Sequence, residues 1–243
     1  VGMFTRPGEG YGMICYAANP GMLSKSGGRG PFRPRMESIV LTGGENFAKP
    51  VTVSAENAHV GHVVHDLLHA LGGVRDGQRV LPDLYDFHLQ SHPPPGPMLP
   101  EVFAIHAGPW DIMSQHFIDR TQPPPAPSSF TRLRLGWITP EQVAGMVAGE
   151  TREFLLNPLS SGLGTLVLRM NLDGGRYLLV ENRQRSGSDA MQRAEGMLVL
   201  EVDPSRAEGT AIVRVADANP ATPRLYAAPF LPGGGERRHY VND

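Results

Sequence analysis

The densest chemistry in this sequence lies between Gly61 and Gly73, GHVVHDLLHALGG, which holds three histidines and one aspartate. His65 and His69 stand four residues apart, so on an α-helix they project from one face a turn apart, near enough for two imidazoles to ligate one ion. His62 falls on the same face. Asp66 directly follows the first histidine, where the HExxH pattern carries the glutamate that takes a proton from an activated water. Two histidines supply two of the three protein ligands of a catalytic zinc, so a third must come from elsewhere. In the extended pattern HExxHxxGxxH/D, the glycine lets the chain leave the helix and return a ligand three places later. Gly72 fills the glycine position, but Arg75, which cannot ligate, stands where the ligand is required. Candidates for that place are the downstream carboxylates Asp76, Asp83 and Asp86, with His62 as an alternative.

The elements that must position these residues are legible from periodicity. Val60, Val63, Val64, Leu67, Leu68 and Leu71 form an apolar stripe that predicts a helix, opened by a start signal at 54–57 and stopped at Gly72-Gly73. MESIVL at 36–41 and PVTVS at 50–54 read as short strands framing it. Residues 1–36, the proline run at 93–97 and the final PGGGERRHYVND read as loops and tail. GPWDIM at 108–113 reads as a tight turn with a buried tryptophan and methionine. Ser128-Ser129 predicts a helix carrying Phe130, Leu133 and Trp137, and Thr139-Pro140-Glu141 predicts another. Beyond about 150 the pattern turns to period two, with strands expected at 153–156, 165–168, 176–181 and 196–202. The expectation is an α+β protein with a helix-bearing domain over 1–149 and a β-rich, sandwich-like or barrel-like subdomain over 150–243.

Composition narrows the function. A chain of 243 residues, 40% hydrophobic, is long enough for a real core, and a net charge of −2 without a basic block argues against nucleic acid as partner. Cys15 is the only cysteine, which rules out an intrachain disulfide and a cysteine-only zinc site. No apolar run reaches the ~20 residues of a membrane span.

Blocks further along the chain carry a resemblance. His65-Asp-Leu-Leu-His69-Ala-Leu-Gly72 is followed by Leu81-Pro-Asp-Leu-Tyr-Asp86, Gly108-Pro-Trp-Asp-Ile-Met113 and Leu135-Gly-Trp137. Then come Tyr177-Leu-Leu-Val-Glu-Asn-Arg-Gln184, Gly187-Ser-Asp189 and Gly196-Met-Leu-Val-Leu-Glu-Val-Asp203. In type and order these resemble the immune inhibitor A-like secreted bacterial metallopeptidases, whose pattern runs HExxHxLGLPDLYD, GPWDLM, LGW and YLLxENRQ, and the match spans about residues 61–204. The resemblance implies a zincin-type catalytic domain, a zinc ion held by His65, His69 and Asp83, a methionine turn at Met113, secretion, and a protein or peptide substrate. Residues 73–80 read as an insertion relative to that pattern.

The implied chemistry is hydrolysis by a zinc-activated water, with Asp66 as general base in place of glutamate. His116, three residues past the turn, is a candidate donor to the developing oxyanion, with a surface histidine as its plainer reading. Calcium is the other cation that the carboxylates can hold. Glu181, Arg183, Asp189 and Asp203 read as a structural salt-bridge network or an ion site. Because aspartate is one methylene shorter than glutamate, a second reading is a non-catalytic relative that serves as a binding or structural module.

Overall fold

Helix α1, Val60–Gly72, follows the stretch that the periodicity marks. The computed structural model describes residues 50–54, 58–88, 106–116, 122–147, 149–192, 194–218 and 229–231, with the strand backbones at 15–18, 39–40 and 46–47. The loop readings of 1–14, 19–36 and 93–97, the start signal at 55–57 and the tail at 232–243 lie outside the described residues. The chain divides into two compact units, Val1–Pro82 with Asp119–Pro124, and Asp83–Ile118 with Pro125–Asp243. These units are cut at positions other than 149.

In the first unit, strands β1 (Cys15–Ala18) and β4 (Val51–Ser54) pair antiparallel from Cys15 opposite Ser54 to Ala18 opposite Val51. Strands β2 (Ile39–Val40) and β3 (Asn46–Phe47) form a second short pair. Helix α1 packs on β1 and β4. It starts later than the sequence suggests: the N-cap is His59, whose Nδ1 accepts the Gly61 N–H at 3.0 Å. It stops at Gly73, whose φ of +65° suits a residue without Cβ and whose N–H donates to the His69 carbonyl at 3.1 Å. The apolar stripe is the buried face only in part, through Leu68. His62, His65, Asp66, Leu68 and His69 are buried, while Val60, Leu67 and Leu71 are 52%, 45% and 70% exposed.

Within residues 73–80 the chain forms a hairpin. Strands β5 (Val74–Arg75) and β6 (Gln78–Arg79) pair with Val74 opposite Arg79. Asp76 and Gly77, both at positive φ (52° and 74°), make the two-residue turn that favours such residues. The Val80 N–H donates to the Gly73 carbonyl at 3.0 Å. The chain therefore leaves the helix end and returns to it.

The second unit holds the remaining strands, β7 (Val143–Met146), β8 (Val167–Asn171), β9 (Tyr177–Arg183), β10 (Gly196–Val202) and β11 (Val213–Val215). They form one five-stranded sheet in the order β11-β10-β9-β8-β7, antiparallel except for the parallel pair β7 and β8. Among the described residues this single sheet stands where a sandwich or barrel was expected. Alternation along β10 buries Leu198, Leu200 and Val202, and the expected 196–202 strand coincides with it. Residues 153–156 are not a strand. The helix expected at Thr139 is one 3-10 turn, Pro140–Gln142, that feeds β7. Helix α2, Ser129–Arg134, is short and ends before Trp137, which is 55% exposed.

The buried face of β9 carries Leu179, Glu181 and Arg183 at the period-two spacing. Arg183 donates to Glu181 and Asp189 at 2.9 Å each, with all three fully or nearly fully buried. The second Glu181 oxygen accepts the Ser129 N–H at 2.7 Å, at the start of α2. Burial pushes the Asp189 carboxyl above its usual range, against the pull of Arg183 and Arg132. Burial likewise raises Asp111, although Ser128, Thr131 and the Met113 and Ser128 amides all donate to it. The network is structural. Arg183→Met strands two buried carboxylates and is expected to cost about 3–5 kcal/mol, read as a lowered urea midpoint.

His106 contributes to the unit's pH dependence. Its φ is +73°, its carbonyl accepts the Val215 N–H at 3.0 Å, and its Nε2 lies 3.3 Å from Asp86. Burial holds its pKa below 6.5 despite the Asp86 charge, with Arg214 and Arg206 pushing the same way as burial. The folded state thus binds this proton less readily than the unfolded one. The stability is complete above the unfolded value and is lost as pH falls below about 6.5 toward the folded pKa. His106→Asn, which tolerates positive φ, is expected to flatten the fall in urea midpoint between pH 7.5 and 5.5.

Candidate metal centre

The stretch from Gly61 to Asp83 is built so that its polar side chains meet. His65 and His69, a turn apart on α1, bring their Nε2 atoms to 2.9 Å, with the rings edge-on at 89°. His69 Nδ1 lies 2.7 Å from the Leu81 carbonyl oxygen, which can only accept, so Nδ1 carries the proton and Nε2 keeps its lone pair. This is the orientation that a metal-ligating histidine takes from its outer partner. His65, His69 and Asp83 form the candidate metal group, with one ligand atom from each within 4.8 Å of the others and all three side chains buried.

The donor set fits the ion that the sequence pattern implies. Two imidazole nitrogens and one carboxylate oxygen are a three-ligand set that leaves a fourth position open on zinc. Nitrogens held by a tetrahedral zinc lie roughly 3.3 Å apart, and the 2.9 Å separation here requires a small opening.

The backbone supplies the placement. Leu81 is fully buried against Gly72, where a Cβ would stand 2.7 Å from Leu81 Cγ, so the helix end needs glycine for Leu81 to seat. Beyond Pro82, the Asp83 N–H donates to Glu208 Oε1 at 2.9 Å, and the Asp83 carbonyl accepts from Gly209 at 3.4 Å. The Leu84 N–H donates to the Met113 carbonyl at 2.8 Å, and Met113 is fully buried in its turn. Gly209, at φ +73° and with Phe87 where a Cβ would go, admits only glycine.

The remaining candidates are not members of the group. Asp76 is exposed at the hairpin tip. Asp86 faces His106 at 3.3 Å and accepts the His88 N–H. His62 is buried on α1 without being one of the three, and His116 meets the Tyr85 ring edge-on at 6.0 Å. Asp66 is buried on α1 next to His65. Two contributors escaped the sequence reading. Arg79, buried at the end of β6, places Nη1 3.4 Å from His69 Nε2. The Asp76-Gly77 turn signal marks the hairpin that delivers it. Glu208 had no signal in the sequence, because only the fold brings it to Asp83.

The chain matches no protein-family model, no curated protein and no solved structure. Among the described residues, no helix is long and apolar enough to cross a membrane.

Gly72→Ala tests the coupling between the helix end and the histidines. The added methyl displaces Leu81 and with it the carbonyl that orients His69. The expected result is a loss of about 1–3 kcal/mol in urea unfolding, together with weaker zinc binding in competition with a chromophoric chelator.

Proposed function

We propose that this chain is a secreted zinc-dependent endopeptidase of the immune inhibitor A-like type, acting on protein or peptide substrates. The observation that carries the reading is the buried group of His65, His69 and Asp83, with the His69 tautomer fixed by Leu81. The sequence blocks from Leu81-Pro-Asp to Glu181-Asn-Arg-Gln support it. Two nitrogens and one carboxylate favour zinc over calcium, which takes oxygen ligands.

When bound, zinc supplies Lewis-acid chemistry: it polarises a carbonyl and lowers the pKa of a coordinated water from 15.7 to ~7. The chain's residues do the rest. His65, His69 and Asp83 hold the ion. Asp66, buried beside His65, takes a proton at its carboxylate and returns it to the leaving amine. His116 is assigned as a donor to the developing oxyanion.

One observation favours a second reading, the catalytically impaired relative: the base is Asp66, one methylene shorter than glutamate. A positioned base contributes roughly 10²–10⁴-fold, so a carboxylate ~1.5 Å short of its target can lose most of the rate while the metal stays.

Two measurements test both readings. Metal-replete protein is expected to hold about one zinc per chain by atomic emission, and His69→Ala to lose it. Asp66→Glu is expected to raise peptide hydrolysis at least roughly tenfold. A zinc-loaded Asp66→Glu protein without hydrolysis supports the binding module instead, and absence of zinc from the unsubstituted protein removes both the ligand set and the enzyme.

A further inference from the structure

The loop that joins β10 to β11 is braced around Asp203. Asp203 Oδ1 accepts the Ser205 N–H at 3.1 Å and the Ser205 hydroxyl at 2.6 Å, and Oδ2 accepts Arg206 Nε at 3.1 Å. The same guanidinium reaches across the loop, donating from Nη1 to the Thr210 carbonyl at 3.2 Å. At the base, the Asp203 N–H donates to the Ile212 carbonyl at 2.8 Å, and the Thr210 N–H donates to the Ala207 carbonyl at 3.1 Å. The loop therefore takes its shape from its own residues.

Its tip meets the segment that carries the candidate ligand. Glu208 Oε1 accepts the Asp83 N–H at 2.9 Å, the Gly209 N–H donates to the Asp83 carbonyl at 3.4 Å, and the Phe87 N–H donates to the Gly209 carbonyl at 3.2 Å. Leu84, the next residue, is held by another part of the unit. Its N–H donates to the Met113 carbonyl at 2.8 Å, and its carbonyl accepts the Ser114 hydroxyl at 3.3 Å.

A peptide unit is planar, so the Asp83 N–H fixes the plane before its Cα, and the Asp83 carbonyl with the Leu84 N–H fixes the plane after it. Glu208 holds the first plane; Gly209 and Met113 hold the second. With both held, φ and ψ of Asp83 are set, and the side-chain torsions remain to be ordered when an ion arrives. A ligand atom has to lie within about 0.2 Å of its bonding distance, so the direction of the Asp83 Cα–Cβ bond bears directly on affinity.

We propose that Glu208 is a positioning residue of the metal centre: from the tip of the β10–β11 loop it fixes the backbone of Asp83, so that the Asp83 carboxylate is delivered ready to ligate. The proposal rests on His65, His69 and Asp83 holding zinc.

The test measures zinc affinity by chelator competition in the full chain, with the folding of each variant checked by circular dichroism and urea midpoint. Glu208→Ala is expected to weaken zinc about tenfold, the lower end for an outer partner of a ligand, because Glu208 holds the ligand's backbone and not its carboxylate. Glu208→Gln keeps an oxygen for the Asp83 N–H and is expected to recover most of that loss. The decisive comparison uses an Asp83→Ala background, which keeps both histidines and so a weaker, measurable affinity. With no carboxylate left to position, Glu208→Ala is expected to change zinc affinity there by less than about twofold. An equal loss in both backgrounds overturns the proposal, since a merely structural role acts whatever stands at 83. Equal zinc affinity in the unsubstituted protein and Glu208→Ala also overturns it and leaves the metal centre intact. Zinc affinity unchanged by Asp83→Ala removes Asp83 from the ligand set and the proposal with it. Absence of zinc binding in the unsubstituted protein overturns the metal centre as well.

Discussion

The hydrogen bond from His69 Nδ1 to the Leu81 carbonyl is the constraint on which the candidate centre depends. It fixes which nitrogen of His69 has a lone pair, and so which way the ring can serve an ion. It exists because the chain turns back on the helix. Gly73 ends α1 at a positive φ, Asp76-Gly77 reverses the hairpin, and Val80 bonds Gly73 again, which returns Leu81 to Gly72. The same return carries the chain on to Asp83. The hairpin begins and ends at neighbouring points, so Leu81 follows the helix end closely despite the residues between them.

The fold was legible where one physical rule dominated. Period-two alternation located β8, β9 and β10, since each strand buries one face, and the capping glycines marked the end of α1. It failed where rules competed. Thr139-Pro140 opens a helix in many contexts, but here the turn closes after Gln142 and Val143 pairs with Val167 in parallel, a long-range pairing that no local signal encodes. The stripe of α1 misled in another way. Its period identified a helix correctly, yet of the stripe only Leu68 is fully buried, on the side that also carries His62, His65, Asp66 and His69.

The site was legible in part for the same reason. His65 and His69 follow from spacing alone, because one helical turn joins them. Asp83 came from resemblance, because its approach depends on the hairpin and on Glu208 and Gly209, which hold its backbone from far along the chain. Arg79 was invisible as a site residue: an arginine in a turn-rich segment reads as surface. The Asp76-Gly77 turn signals the hairpin, but the burial of Arg79 beside His69 is a tertiary contact that no local pattern encodes.

Two clusters of buried polar side chains among the described residues can be compared, and the difference between them is informative. In Glu181–Arg183–Asp189 the guanidinium donates directly to both carboxylates, and a backbone amide takes another oxygen. Opposite charges meet, and the arrangement is complete as a structural unit. Around His65 and His69 the convergent atoms are instead two ring nitrogens 2.9 Å apart. At that distance two facing lone pairs repel, so the nitrogens must share a proton or a cation. Histidines that served packing alone would gain nothing from such an approach, since apolar residues of similar volume fill a core without constraining a proton. A cation that accepts both lone pairs removes the constraint. That asymmetry is a physical reason to read the second cluster as a ligand site and the first as a brace for the sheet.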